Sequence, residues 1–397
     1  IPQSYLTRFS LDIADYDVGY NTLFGPQGYL TFQFSDLMGD HNIQLFMESQ
    51  LSYNNDFGFS YQYLKERTDY QLAFIHQAQN FFAGYGFSSQ GYPIDYMINS
   101  RDYGLAFVAS RPFNRFNRLD AGIEFRNLER KLTVVDPYIN QVNVLDNDGL
   151  TALRPAIGYV FDNSVNGFLG PIDGFRQNAT IEISPAVGEA GISFQSFKLD
   201  MRKYQMINRD NSLAGRLYFG SSTGRNPSRF FLGGMQNWMA GSGTTDGIED
   251  GSRSRYGFLD SNNESLLQDL YLSELVWPMR GARYGERYGT NVLLMNFEYR
   301  FPLIKYLVTG PLVLGNILGH IFVDVGAAWD DPKEFTDISA LRNKYGDVSN
   351  NFSPWVRSIG YGIKLPIILP WRIEAAYDWT ESGFSKPQWY ISIGFDW

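Results

Sequence analysis

Hydrophobic and polar positions alternate with a period of two along most of this chain, the spacing of strands and not of helices. The C-terminal ten residues place Trp389, Ile391, Ile393, Phe395 and Trp397 on one face. Gln388, Tyr390, Ser392, Gly394 and Asp396 fall on the other. The preceding segment repeats the pattern, with Trp371, Ile373, Ala375, Tyr377 and Trp379 opposite Arg372, Glu374, Ala376, Asp378 and Thr380. Comparable alternation predicts strands over residues 5–16, 28–37, 43–53, 57–65, 70–81, 103–110, 119–129, 153–161, 179–184, 194–206 and 212–221. Further strands are expected over 291–301, 320–329, 356–365, 371–379 and 388–397. The total is about sixteen, an even number as in bacterial single-chain barrels. A soluble sandwich would turn the charged face to water and the apolar face to a core. A membrane barrel turns the apolar face to lipid and the charged face to its lumen. So many strands without a helical layer, with aromatics at the ends of the apolar faces, favour the barrel. The predicted fold class is all-β, a transmembrane antiparallel β-barrel.

Connection lengths add a second signal. With both termini periplasmic, several inward connections are short (38–41, 65–69, 208–211, 369–370) and several outward ones long (82–95, 131–147, 224–289, 331–350). Short inner turns and long outer loops are the asymmetry of such barrels. Two inward connections, 162–175 and 303–319, are longer than this pattern wants. No internal repeat or low-complexity linker interrupts the chain, so residues 1–397 read as one barrel domain.

Composition narrows the options. No apolar run of about 18 residues exists. The nearest, 306–326, is broken by Gly310-Pro311, Asn316, His320 and Asp324, so a transmembrane helix is not expected. The 26 Tyr and 31 Phe are what a membrane interface wants, amphipathic or apolar rings at the headgroup level. A net charge of −9 disfavours a nucleic-acid partner. The absence of cysteine suits a compartment in which thiols oxidise. The chain starts at Ile1 without an initiator Met, which reads as a processed or truncated product whose N-terminal periplasmic domain is expected to be missing.

Signals for catalysis are poor. His41, His76 and His320 have no metal-ligand spacing, and neither a G-x-S-x-G elbow nor a P-loop occurs. Asp146-Asn147-Asp148-Gly149 lacks the downstream Glu of a calcium loop and reads as a turn. Asp246-Gly247-Ile248-Glu249-Asp250 could hold a divalent cation but reads better as a solvated loop. Gly84-Tyr85-Gly86 lacks the strand–helix context of a nucleotide site. No catalytic residue, metal or cofactor is expected.

The unusual residues concentrate between Arg229 and Gly326. "RFFLGGMQNWMAG" begins the longest connection and "PMRGARYG" lies near its end. In the next strand Phe297, Tyr299 and Phe301 share one face, and Asn296, Glu298 and Arg300 the other. In the strand after it Ile321, Val323 and Val325 oppose Phe322, Asp324 and Gly326. Glu298 and Asp324 therefore project inward from adjacent strands. Arg280 on a glycine-flanked tip can reach them with bidentate, charge-assisted bonds, and Gly281 permits close backbone approach. The plainer alternative is that these acids pair with lumen neighbours and water.

The run F-L-G-G, then R-G, then N-F-E-Y-R-F-P-L, then F-V-D-V-G, with a C-terminal aromatic, resembles the barrel of the outer-membrane assembly-factor superfamily. That superfamily includes the barrel-assembly insertase and the two-partner-secretion translocators. The resemblance implies a sixteen-stranded barrel whose long sixth extracellular loop, here about 224–289, folds into the lumen. It implies a tip at Met279-Arg280-Gly281-Ala282, with Glu298 and Asp324 as wall partners. It covers the last 170 residues in motif and the rest in architecture. The early stretch "VGYNTLFGPQGYLTFQFSDLMGDH" is similar to barrels that follow a TolB-like propeller. Two features depart from the family: Ala282 stands where its motif has an aromatic, and Gly234 lies about forty residues before Arg280, a longer interval than usual.

The resemblance implies a bacterial outer-membrane protein, of the surface-antigen type, that assists protein insertion into or transport across that membrane. Its partners would be outer-membrane lipid, client outer-membrane proteins and periplasmic or secretion-complex subunits. The barrel would close where the first strand (Phe9, Leu11, Ile13) meets the last (Ile391, Ile393, Phe395, Trp397), because an open edge in lipid leaves backbone groups unsatisfied. A weak seam there could template a client strand. The alternative is a plugged barrel serving as anchor or structural subunit of a larger envelope complex. A passive channel is disfavoured by the long inserted loop.

Overall fold

The computed structural model describes residues 7–21, 25–50, 55–87, 91, 93–136, 141–167, 169–241, 273–309, 312–346, 348, 350, 352–366, 370–380 and 383–394. Two compact units divide them. The first comprises residues 1–158 and 182–194, the second 159–181 and 195–397.

The first unit is an antiparallel meander. Strands β1 (Phe9–Asn21), β2 (Gly25–Asp36), β3 (His41–Gln50), β4 (Asn55–Tyr63), β5 (Asp69–Phe87), β6 (Pro93–Pro112) and β7 (Asn117–Asp136) each pair with the next. Strand β8 (Gln141–Asp162) follows. Alternate residues put apolar side chains such as Leu105, Phe107, Ile123 and Phe125 on an exposed face. The opposite face carries linked charges: Arg126 to Asp102 at 2.6 Å, and Arg154 to Glu124 at 3.0 Å and Glu182 at 2.5 Å.

In the second unit β9 (Val165–Gly167) pairs antiparallel with β10 (Gly170–Ser184). Next come β11 (Phe194–Met206) and β12 (Ser212–Gly224). The segment after β12 contributes four short strands: β13 (Phe230–Leu232), β14 (Trp238–Gly241), β15 (Glu274–Val276) and β16 (Arg287–Gly289). Then β17 (Asn291–Thr309) pairs back with β12, and β18 (Leu312–Trp329), β19 (Trp355–Pro366) and β20 (Pro370–Thr380) continue the antiparallel ladder. Strand β21 (Gly383–Phe384) makes a short hairpin on β20, and β22 (Gln388–Ile393) pairs with β20.

Several expected loops are strand. Residues 82–87 and 93–95 continue the β5–β6 ladder to Phe87↔Pro93, and within the long inward connection residues 303–309 and 312–319 belong to β17 and β18, paired up to Thr309↔Leu312. The other long inward connection, 162–175, contains the β9–β10 pairing. Asp146–Gly149, read as a turn, lies within β8, where Asp148 pairs with Arg130 at 2.9 Å. Alternation marks only the part of a strand with one apolar face. The ladder runs on wherever backbone groups find partners. The connection 331–350 also differs. It holds a helical turn at Pro332–Phe335 and a helix α1 (Ile338–Tyr345), started by the Asp337 carboxylate on the Ser339 N–H and ended at Gly346 with φ +84°.

The densest packing in the second unit lies where the segment after β12 meets the ladder. Strand β13 is central in a three-stranded sheet, parallel to β15 and antiparallel to β16. Phe230, Leu232, Val276, Met279 and Ala282 pack with Val292, Leu294, Ala328 and Val356 in one apolar cluster. Phe231, Met235, Trp238, Tyr284 and Tyr288 pack with Phe322, Ala376 and Tyr390 in another. In β17 the buried side chains are Val292, Leu294, Asn296, Glu298 and Arg300, while Met295 and Phe297 are exposed. The inner face of the ladder is thus apolar at one level and charged at the next.

Candidate functional site

Register brings the charged residues together. Asn296 of β17 lies opposite Asp324 of β18, and Asp324 opposite Ser358 of β19. Glu374 of β20 lies opposite Gly362. Along β19, Ser358, Gly360 and Gly362 share this face and leave room above it. A Cβ on Gly360 would lie 2.3 Å from the Phe322 ring, and one on Gly362 would lie 2.5 Å from Glu374 Cγ. Three carboxylates and a phenyl ring thereby line one recess.

Arg280 fills that recess and is 1% exposed. Its Nε and Nη2 donate to Asp324 Oδ2 and Oδ1 at 2.7 and 2.8 Å, a bidentate pair. Nη1 donates to Glu298 Oε1 at 2.7 Å and to Glu374 Oε1 at 2.9 Å. The Arg280 backbone N–H adds a bond to Asp324 Oδ2 at 3.1 Å. The guanidinium carbon stands 3.5 Å from the centre of the Phe322 ring. Burial by itself would lower the Arg280 pKa, but Asp324, Glu298 and Glu374 together hold it well above its ordinary value. The guanidinium is therefore permanently charged.

An outer set of groups completes the acids. Glu298 Oε2 accepts from Arg300 Nε at 2.9 Å and from Lys364 Nζ at 3.4 Å. Glu374 Oε1 also meets His320 Nε2 at 2.8 Å. Asn296 Nδ2 bonds both Asp324 Oδ1 (2.8 Å) and the Pro278 carbonyl (2.7 Å), joining the acid to the backbone that carries Arg280. Glu298, His320 and Glu374 offer ligand atoms within 4.8 Å of one another, a spacing a metal ion could use. Arg280 Nη1 contacts both of those carboxylates, so cationic charge is already supplied there.

The rest of the tip is shaped by close approach. Gly281 has φ +87°, and a Cβ there would lie 2.8 Å from Ser358 Cβ. Its N–H donates to the Tyr390 hydroxyl at 2.6 Å, and that hydroxyl donates on to the Ala282 carbonyl at 3.2 Å. Ala282 is fully buried in the first apolar cluster. The aromatic side chain of the tip comes two residues later. Tyr284 packs on Trp238 and Trp277, and its hydroxyl donates to the Met235 carbonyl. A Cβ on Gly234 would strike the Tyr284 ring at 2.3 Å, so the F-L-G-G glycine makes space for that ring.

Of the residues singled out in the sequence, the structure brings Arg280, Gly281, Glu298 and Asp324 together. Phe9, Leu11 and Ile13 lie exposed on β1, and Ile391 and Ile393 lie on β22. Phe395 and Trp397, and the acidic stretch 246–250, fall outside the described residues. Sequence reasoning missed Glu374 as a third acid, the support of Lys364 and His320, and the role of β19. The signal for β19 was its alternate small residues Ser358, Gly360 and Gly362. It also missed a pairing at the last strand: β14 lies antiparallel to β22, with Trp238↔Ser392, Ala240↔Ile391 and Gly241↔Tyr390.

The Omp85 superfamily domain matches residues 41–397 of the chain. No curated protein sequence matches it. Among solved structures it is similar to BamA from Haemophilus ducreyi lacking POTRA domains 1–3, at 12% identity and a TM-score of 0.60, covering 98% of this chain and 75% of that one. It is also similar to CdiB from Acinetobacter baumannii (12% identity, TM-score 0.53, 98% and 60% covered) and CdiB from Escherichia coli (10%, 0.51, 98% and 68%).

Proposed function

This chain belongs to the Omp85 superfamily and resides in the bacterial outer membrane, and from that premise we propose that it assists polypeptides to insert into or cross that membrane. In this reading the strands form a closed barrel of about sixteen, as even-numbered bacterial barrels do. The segment between β12 and β17 is its sixth extracellular loop, folded into the lumen. The observation that carries the reading is the burial of Arg280 among Glu298, Asp324 and Glu374. A guanidinium with three carboxylates from three strands holds a loop in place without performing chemistry. Arg280 is then a latch, and the working part is a sheet edge at the first and last strands, where a client segment can add by backbone pairing. Clients would be outer-membrane or secreted chains.

The test is reconstitution of the purified chain into phospholipid vesicles, followed by addition of an unfolded outer-membrane barrel protein. Folded client should accumulate faster than in empty vesicles, read by gel mobility without heating. Equal rates in the two would leave the chain as an anchor or structural subunit. Steady, high single-channel conductance in a planar bilayer would contradict the plugged lumen.

A further inference from the structure

Three buried donors converge over Gly362. His320 of β18 and Glu374 of β20 both lie opposite it, one on each side of β19. A Cβ on Gly362 would lie 2.7 Å from His320 Cε1 and 2.5 Å from Glu374 Cγ, so the missing side chain lets the two meet across the strand between them. His320 Nε2 stands 2.8 Å from Glu374 Oε1. On β17, Arg300 lies opposite His320, and Glu298, one step away on the same face, supplies the third donor. Ligand atoms of Glu298, His320 and Glu374 lie within 4.8 Å of one another, and all three side chains are buried. Their spacing along the chain gives no metal motif, because each comes from a different strand.

One imidazole and two carboxylates make the donor set of three-ligand zinc sites, with a fourth position left for water. Calcium and magnesium ask for six or more ligands, chiefly oxygens, and fit this set poorly. The set also has unused capacity. Glu374 Oε1 takes both contacts of its carboxylate, to Arg280 Nη1 and His320 Nε2. Glu374 Oε2 and His320 Nδ1 are buried without a hydrogen bond among the described residues. A buried carboxylate oxygen without a donor is costly, and a cation would satisfy it.

The position between the carboxylates is held by a cation that can leave. Arg280 Nη1 donates to Glu298 Oε1 at 2.7 Å and to Glu374 Oε1 at 2.9 Å. Arg280 belongs to the tip, whereas the three donors stand on ladder strands whose pairing does not involve the tip. Withdrawal of the tip removes the guanidinium and leaves the donors in place. Arg300 and Lys364 remain on Glu298, but both sit on Oε2, so Oε1 is released. Asp324 loses its bidentate partner at the same moment, which adds negative charge beside the set.

We propose that Glu298, His320 and Glu374 form a site for a divalent transition-metal ion of the zinc class, which Arg280 Nη1 fills while the tip is docked and which the ion takes when the tip withdraws. This rests on the latch reading above. Ion and guanidinium compete for the same oxygens, so the ion binds only the undocked loop and holds it undocked. By mass action the undocked population should rise with ion concentration once this exceeds the dissociation constant.

The probe is Co²⁺, whose visible absorption separates protein ligation from the free aqueous ion, with Zn²⁺ as competitor. The full chain is refolded in detergent and its fold checked by gel mobility without heating. The Arg280→Ala chain should bind Co²⁺ stoichiometrically, displaced by Zn²⁺ and not by Mg²⁺. The parent should bind at least about 100-fold more weakly, because apparent affinity scales with the undocked fraction and loss of the buried pair raises that fraction by at least this factor. In the Arg280→Ala background, Glu374→Gln and His320→Ala should each weaken binding at least about tenfold. Asp324→Asn, which removes charge but no ligand, should leave the cobalt spectrum unchanged. Absence of stoichiometric Co²⁺ in the Arg280→Ala chain, binding indifferent to His320→Ala, or a spectrum lost in Asp324→Asn overturns the site. Equal affinity in the parent overturns the exchange with Arg280. Maleimide labelling of a Met279→Cys tip, run in chelator, tests the latch separately. Fast labelling after Arg280→Ala with no cobalt bound keeps the latch and sinks the metal site. Slow labelling with cobalt bound through His320 keeps the ligand set and sinks the latch.

Discussion

Replacing Arg280 by alanine removes four side-chain hydrogen bonds, two to Asp324 and one each to Glu298 and Glu374. The three acids do not suffer equally. Glu298 keeps Arg300 and Lys364, and Glu374 keeps His320. Asp324 keeps only neutral donors among its described bonds, Asn296 Nδ2 and the backbone N–H of residue 280. It becomes a buried carboxylate without a cation, and breaking a buried pair by deleting one partner costs about 3–5 kcal/mol. With every 1.4 kcal/mol a factor of ten, the open population of the loop should rise by about 100- to 3,000-fold. The reporter is Met279→Cys in this cysteine-free chain, at a fully buried tip position, labelled with a maleimide in refolded protein. Labelling of the Arg280→Ala chain should accelerate by that factor. Adding Asp324→Asn should recover at least about tenfold of it, because the orphaned charge is gone. An acceleration below about fivefold, the range of an exposed ion pair, would refute the view that this site holds the loop.

Gly281→Ala meets both a positive φ and the Ser358 side chain, so it should loosen the same loop by at least about 1–2 kcal/mol, read by the same labelling. Ser358→Gly in that background should relieve the contact and leave the backbone cost, and full recovery would show that φ is irrelevant. Phe297, 52% exposed on β17, should face lipid. Phe297→Arg is expected to cost about 2–4 kcal/mol in urea unfolding from phospholipid bilayers if it sits near the midplane, and a loss under about 1 kcal/mol would place it at the interface.

Period-two alternation made the strands and their two faces legible. It put Asn296, Glu298 and Arg300 inward, and Phe297 outward, as the structure does. The Arg280–Glu298–Asp324 grouping was legible because the acids sit on consecutive strands just after the tip. Glu374 was placed on the charged face but not joined to Arg280, because the two are 94 residues apart and no local pattern links them. The length of β5, β6, β17 and β18 was hidden because a ladder outside the apolar band has no side-chain signature. The pairing of β14 with β22 was hidden for a related reason. A four-residue segment in a glycine-rich loop has too little alternation to read as a strand, and its partner lies about 150 residues away.

Every acid that holds Arg280 lies later in the chain, 18, 44 and 94 residues downstream. The loop is therefore made before anything that can receive it, and its guanidinium has nowhere dry to go until β17, β18 and β20 stand side by side. If Arg280 is the latch proposed above, docking of the tip should be a late event that reports the assembly of the C-terminal strands in register. A chain stalled or cut before Glu374 would display its loop to solvent, where proteases could reach it. In the latch reading, the three acids that bond Arg280 would also time the closing of the loop, and make the finished state distinguishable from an unfinished one.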